Sequence, residues 1–218
     1  MNITIFGTGG VGQTLAAKLA SLGHAVMIGT RDPQATHQRP EFAAWQAAHP
    51  AVSLGTFAQA GAHGALAINA LAGHASLAGL AQAEADLAGK IVIDLSNPLD
   101  FSNGMPPSLF VGLTDSLGEQ IQRLLPTAKV VKTLNTVNSD VMVNPALVAN
   151  GDHVLYLGGN DAEAKAAVMG YLREWFGWQH LLDLGGIETS RATEAAVLLW
   201  VQVWGKLGTP HFNFKIVR

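Results

Sequence analysis

The feature that most narrows the fold is the opening stretch, NITIFGTGGVGQTLAAKLASLGHAVMIG at 2–29. A β-branched run at 2–6 ends on Gly7, and the residues that follow read G-x-G-x-x-G through Gly7, Gly9 and Gly12. Val11, Leu15, Leu19 and Leu22 recur at helical spacing, Gly23 ends that helix, and 25–29 is apolar again. Strand, glycine turn, helix and strand in this order form a βαβ unit, which belongs to a parallel sheet. Glycine is common here, at 24 residues, so the context carries the reading more than the pattern does. Gly7 allows the tight turn, Gly9 removes a Cβ where the backbone meets a pyrophosphate, and Gly12 lets helix and strand pack closely. The loop Gly7, Thr8, Gly9, Gly10, Val11 and Gly12 is therefore expected to bind a dinucleotide, with the diphosphate on the free N–H groups at the helix start.

The rest of the chain keeps alternating. Strands are expected at 51–55, 64–71, 90–96, 128–134, 153–159 and 211–217, and helices at 33–48, 74–88, 116–125, 161–176 and 188–206. Residues 97–116 hold Pro98, Gly104, Pro106, Pro107 and Gly112 and read as one long loop, which in a compact domain is usually functional. The fold class expected is α/β, a Rossmann-type doubly wound parallel sheet with a small C-terminal α/β lobe. The boundary is placed near residue 150, giving a dinucleotide-binding domain at 1–150 and the lobe at 151–218.

Composition excludes several functions. Hydrophobic residues make up 49% and charged ones 13%, with a net charge of −3 and no basic block, so nucleic acid and anionic membrane surfaces have no electrostatic footprint. With no cysteine there is no disulfide, thiolate metal site or cysteine nucleophile. The eight histidines show no ligand spacing, and no metal site is expected. MNITIFG has neither a basic leader nor a cleavage pattern, and AAVLLWVQVWG at 195–205 is too short to span a bilayer. These features are those of a soluble cytoplasmic protein.

The end of the second strand selects the dinucleotide. In an NAD-binding protein, position 29 or 30 is the natural place for an acid, but the sequence has Gly29, Thr30 and Arg31. Thr30 offers a hydroxyl and Arg31 a guanidinium that grips phosphate oxygens in bidentate fashion, so NADP(H) is the expected cofactor. Asp32 precedes Pro33 and reads as the cap of the next helix.

Ligands of such sheets lie beyond the carboxyl ends of the strands. Asn69, Ala70 and Leu71, then Asn97 and Pro98, then Asn135 occupy those positions and join the candidate cofactor site. Asn97, Asn135 and Asn138 at successive strand ends read as a polar pocket wall, against the plainer reading that each caps a turn. His74 stands where a pocket mouth would be. Trp200 and Trp204 share one helical face and read as core or subunit packing rather than as a pocket wall. Phe212, Phe214 and Ile216 alternate like a core-facing strand or an edge used in a homodimer. No catalytic dyad is visible.

ITIFGTGGVGQTLAAKLASLGHAVMIGTRDP resembles the start of the NADPH-dependent coenzyme F420 reductases, which carry a similar G-T-G-x-x-G motif and a strand ending in Gly-Ser/Thr-Arg. The ferric-reductase domains of certain membrane metalloreductases share the pattern. DLSNPLDFSNGMPP (94–107) and KTLNTVNSDVMVNP (132–145) are similar to segments of bacterial F420-dependent NADP oxidoreductases. The resemblance implies hydride transfer between NADP(H) and a deazaflavin, coenzyme F420, or a related flavin as the small-molecule redox acceptor. It leaves two other readings open: a reductase of a small imine or carbonyl, and a non-catalytic NADP(H)-sensing module.

Overall fold

The computed structural model describes residues 1–218. Ten strands form: β1 (Asn2–Phe6), β2 (Ala25–Thr30), β3 (Val52–Thr56), β4 (Leu66–Asn69), β5 (Ile91–Asp94), β6 (Leu99–Asp100), β7 (Ser108–Leu109), β8 (Lys129–Thr133), β9 (Val154–Gly158) and β10 (His180–Asp183). Eight make one sheet in the order β10-β9-β8-β5-β4-β1-β2-β3, and β6 pairs with β7 alone. The six strands from β3 across to β8 are parallel. The direction reverses once, where β9 runs antiparallel to β8 through Thr133↔Leu157, and β10 then follows β9 in parallel.

Successive side chains of the central strands enter opposite cores. Ile3 and Ile5, Leu66 and Ile68, Ile93 and Val131 join one core, while Phe6, Ala67, Val92 and Val130 join the other. Burial on both faces is why these runs show no polar alternation. Ten helices cover the sheet: α1 (Gly10–Ser21), α2 (Pro33–His37), α3 (Pro40–Ala48), α4 (Phe57–His63), α5 (Gly73–Leu80), α6 (Glu84–Leu87), α7 (Leu117–Leu124), α8 (Ser139–Val143), α9 (Ala162–Tyr171) and α10 (Ser190–Leu207). Leu15 and Leu19 of α1, Phe42 of α3, Val141 of α8 and Val168 of α9 pack on the first face. Phe57 and Ala60 of α4, Leu80 of α5, Leu87 of α6, and Leu117 and Ile121 of α7 pack on the second. The sheet is doubly wound, and its reversal of strand order falls between β1 and β4.

Several boundaries differ from the expected ones. The helix expected over 33–48 breaks into α2 and α3 at Pro40, because the residue before a proline is driven out of the helical region and Arg39 is extended at φ −73°, ψ 120°. The helix expected over 74–88 divides into α5, a 3₁₀ turn at 81–83, and α6. Residues 97–116 contain the β6–β7 pair, with Leu99 opposite Leu109. The chain at 211–217 is not a strand: it meets the sheet through one ladder-like bond, from Val154 N to Phe214 O at 3.1 Å. The additional strand is β10, whose mostly exposed edge position leaves little apolar pattern to read. The sheet runs on across residue 150, since β9 and β10 extend it beyond β8.

A buried ionic cluster ties α10 to the strands. Lys132 of β8 is 1% exposed, and its Nζ lies 2.8 Å from both Asp94 Oδ2 of β5 and Glu194 Oε1 of α10. Burial pulls the Lys132 ammonium down, but the two carboxylates outweigh it and its pKa ends raised. Glu194 also accepts from Leu117 N and Gly118 N, both at 2.9 Å, and so caps α7 from a distant helix. A Cβ on Gly118 would lie 2.4 Å from Ser190 Oγ, so glycine is what lets α7 and α10 approach this closely.

Candidate functional site

The glycine loop joins β1 to α1, and its glycines divide into two kinds. Gly7 has φ +118°, and a Cβ there would lie 2.6 Å from Ala70 O. A Cβ on Gly12 would lie 2.2 Å from Gly7 O. These two are required by the protein's own backbone. Gly9 and Gly10 have nothing within 4 Å of a Cβ position, so the loop's outer face is open. No side chain caps α1 and no acid stands in its first turn, which leaves its positive end unneutralised. A diphosphate fits this surface by shape and by charge.

At the end of β2, Thr30 is 8% exposed, and its hydroxyl pairs with Thr36 Oγ1 at 2.9 Å. That bond fastens α2 to the strand and fixes the position of the hydroxyl expected to face a phosphate. Asp32 accepts from Ala35 N at 2.9 Å and caps α2. Arg31 between them is exposed and forms no salt bridge. The acid therefore caps a helix, and the guanidinium beside it is unpaired. Arg39, which sequence reasoning did not single out, donates from Nη2 to Thr8 Oγ1 at 3.1 Å and brings a second guanidinium to the glycine loop. No local spacing signals a partner 31 residues away.

Beside the loop, on the carboxyl side of the sheet, lies a cavity of 720 Å³. Val11 of α1 and Ala70 to His74 after β4 form one wall. Leu95 to Asn97 after β5 and Asn135 to Val137 after β8 line it, as do Leu99, Phe101 and Met105 around the β6–β7 pair. Val197, Trp200, Val201 and Trp204 of α10 close it. Fourteen of its 20 lining residues are hydrophobic and none is Lys, Arg, Asp or Glu.

The structure thus brings Val11, Ala70, Leu71, Asn97 and Asn135 together. Asn69 stays beneath the cavity, fully buried. Its Nδ2 donates to Asp94 Oδ1 at 2.8 Å and to Ser76 Oγ at 3.2 Å, and its Oδ1 accepts from Leu71 N at 3.3 Å. It therefore shapes the Leu71 turn and offers nothing to a ligand. Pro98 is buried too, and its carbonyl accepts from Phe110 N at 2.9 Å. Of the polar wall expected from three amides, Asn97 and Asn135 line the cavity and Asn138 does not. Asn97 Nδ2 donates to Asn135 O at 2.8 Å and Asn135 Nδ2 to Asn97 Oδ1 at 3.0 Å, latching β5 to β8, while Asn138 caps α8 through Asp140 N. Of the core or subunit packing expected for Trp200 and Trp204, the core part is corrected, since neither joins a buried cluster and both line the cavity. His74 stands exposed on its wall. Leu134, just before Asn135, is buried at φ +61°, a conformation costing about 1 kcal/mol or more that the surrounding latch holds in place.

Residues 2–98 match the model of the family described as NADP oxidoreductase, coenzyme F420-dependent. The chain is 30% identical over 214 residues to the F420-dependent NADP reductase of Methanocaldococcus jannaschii, covering 92% of this chain and 91% of that one. The chain belongs to the F420-dependent NADP oxidoreductase family. Within that family, the crystal structure of an Arthrobacter sp. FB24 protein assigned as an F420-dependent NADP reductase superposes with a TM-score of 0.97 at 52% identity, over the full length of both chains. The chain is also 25% identical over 202 residues to metalloreductase STEAP3 of Rattus norvegicus, a match that takes in 93% of this chain but 37% of that protein.

The two kinds of glycine in this F420-dependent NADP oxidoreductase make a paired prediction. Gly9 sits at φ −78°, ψ 177°, which alanine adopts freely. Gly9→Ala is expected to keep its melting temperature while losing about tenfold or more in dinucleotide affinity. Gly12→Ala is expected to destabilise the fold itself, because its new Cβ meets a carbonyl oxygen that no rotamer change removes. Thermal unfolding and NADPH titration on both variants separate the two roles.

Proposed function

We propose that this protein transfers a hydride between NADP(H) and a deazaflavin, coenzyme F420, or a related flavin. The observation that carries the reading is the pairing of an open glycine loop and a free Arg31 with an apolar cavity that begins at the first turn of α1. The backbone N–H groups of Gly9 to Gly12 hold the diphosphate, and Arg31 holds the ribose phosphate. Ala70, Leu71 and Asn97 flank the nicotinamide end. When bound, the nicotinamide supplies or takes the hydride. The chain's own part is to orient two rings face to face and keep water out, which the largely hydrophobic lining suits. Hydride transfer needs no protein acid at the reacting carbon, and the cavity wall offers only His74 as a titratable group.

The same reading takes residues 1–150 as the dinucleotide-binding part and 151–218 as the part that completes the acceptor side through α10. It takes the protein as a cytoplasmic homodimer. No helix is long and apolar enough to cross a membrane, and Phe110, Leu113, Leu199 and Leu207 give exposed apolar surface on which a second copy can sit.

The test is rapid-mixing absorbance of reduced nicotinamide with oxidised F420, FMN and small carbonyl or imine compounds supplied in turn. Oxidation with F420, or with the flavin, is the expected result. Oxidation with carbonyl or imine compounds alone overturns it, and tight NADPH binding with no turnover on any acceptor makes the protein a sensor.

A further inference from the structure

The cavity has one wall that the cofactor reading leaves unused. Trp200 and Trp204 stand one helical turn apart on α10, with ring centroids 5.7 Å apart. Behind them, Phe212 lies nearly parallel to Trp200 at 19°, with a centroid distance of 5.1 Å. Trp200 Nε1 is buried and has no hydrogen-bond acceptor, so packing alone sets the angle of the indole. Phe212 is in turn placed by its neighbour: Asn213 Nδ2 donates to His153 Nδ1 at 2.8 Å and to Val154 O at 3.0 Å. His153 Nε2 donates to Pro145 O at 2.9 Å, which leaves Nδ1 as the acceptor. The C-terminal segment is thereby pinned to the start of β9, where it acts as a brace for the aromatic wall.

We propose that the acceptor is recognised through a planar ring lying against Trp200 and Trp204, with Phe212 as a positioning residue that fixes the Trp200 plane. This rests on the hydride-transfer reading for its choice of acceptor. Two indoles in an apolar cavity without a charged lysine, arginine or carboxylate offer area and π-faces but no ion pair. The free guanidinium of Arg31 and that of Arg39 belong to the dinucleotide end, and the ammonium of Lys132 is buried between Asp94 and Glu194. An anionic side chain on the acceptor therefore contributes little to its binding.

The experiment measures the Kd of F420 and of riboflavin for the NADP⁺-loaded protein by fluorescence, beside the Kd of NADP⁺ itself. Trp200→Ala is expected to weaken ring binding about tenfold or more, with NADP⁺ affinity unchanged, and Trp200→Phe to recover most of it. Phe212→Ala is expected to raise the acceptor Kd and KM more than it lowers kcat, and Phe212→Tyr to restore them. Raising the salt about tenfold is expected to move the F420 Kd by less than about twofold. The proposal falls if Trp200→Ala leaves ring binding intact, if it weakens NADP⁺ equally, or if salt weakens F420 about tenfold. F420 that binds in this way but is never reduced, or riboflavin binding where F420 does not, leaves the wall standing and removes the deazaflavin reaction. If neither ring binds, the wall assignment fails.

Discussion

Arg31→Ala is expected to bind NADPH about ten- to a hundredfold more weakly while its affinity for NADH stays within about twofold. A charge-assisted hydrogen bond is worth about 1.5–3 kcal/mol, which corresponds to that range. The expectation draws on the division of labour at the end of β2. Asp32 Oδ1 accepts from the N–H of Ala35, which turns the carboxylate toward the helix start. Thr30 is buried against Thr36, so the strand end presents one polar group outward, the exposed guanidinium. Titration of both dinucleotides on the wild type and the variant checks the result. An equal loss for NADPH and NADH would move Arg31 from the ribose phosphate to the shared diphosphate. No loss for either would leave it a solvated surface charge and return Arg39, at Thr8, as the guanidinium to test.

Lys132→Met is expected to destabilise the fold by about 3–5 kcal/mol, which for a chain of this size is a fall in Tm of about 10 °C. The methionine fills much of the space but leaves Asp94 and Glu194 facing each other without the ammonium that both contact at 2.8 Å. The cost arises from stranded charge, not from lost volume. Adding Asp94→Asn and Glu194→Gln to the same variant is therefore expected to recover part of the loss, since the amide at 94 keeps its acceptor for Ser96 while the amide at 194 keeps one oxygen for the two N–H groups of Leu117 and Gly118. Urea or thermal unfolding of the single and triple variants decides it. A triple variant no more stable than the single one would mean that the hydrogen bonds of the cluster, and not its stranded charge, set the cost. Because Glu194 sits one turn before Val197 on α10, the single variant is also expected to loosen the aromatic wall and lower acceptor affinity along with stability.

Some of this was legible in the residues and some was not, for identifiable reasons. GTGGVG between two apolar runs was readable because every requirement it meets is local: a positive φ at Gly7, a close approach at Gly12 and an open face at Gly9 all arise within one turn. Arg31 and Asp32 could be told apart because a capping residue followed by proline is also a local pattern. The asparagines at the strand ends were legible in position but not in partner. Each lies at the expected strand end, yet Asn69 turns inward to Asp94, and Asn97 and Asn135 bind each other across two strands. The cluster of Lys132, Asp94 and Glu194 left a trace in the chain, charges set within the apolar runs KIVIDLS and AKVVKTL, but nothing there tells which charge meets which.

The sequence by itself determined the parallel core of the sheet, the glycine turn into α1 and the cap that Asp32 makes on α2 beside an unpaired Arg31, because turns, caps and buried strands are set by neighbours a few residues apart. Only the tertiary structure decided what the second half of the cavity is made of. Trp200 and Trp204 become a wall, not core, because Glu194 anchors α10 across Lys132 and α7, and the C-terminal residues lean on Trp200 from behind. Those contacts join segments far apart in the chain, and helical spacing states which side chains share a face but not what that face meets.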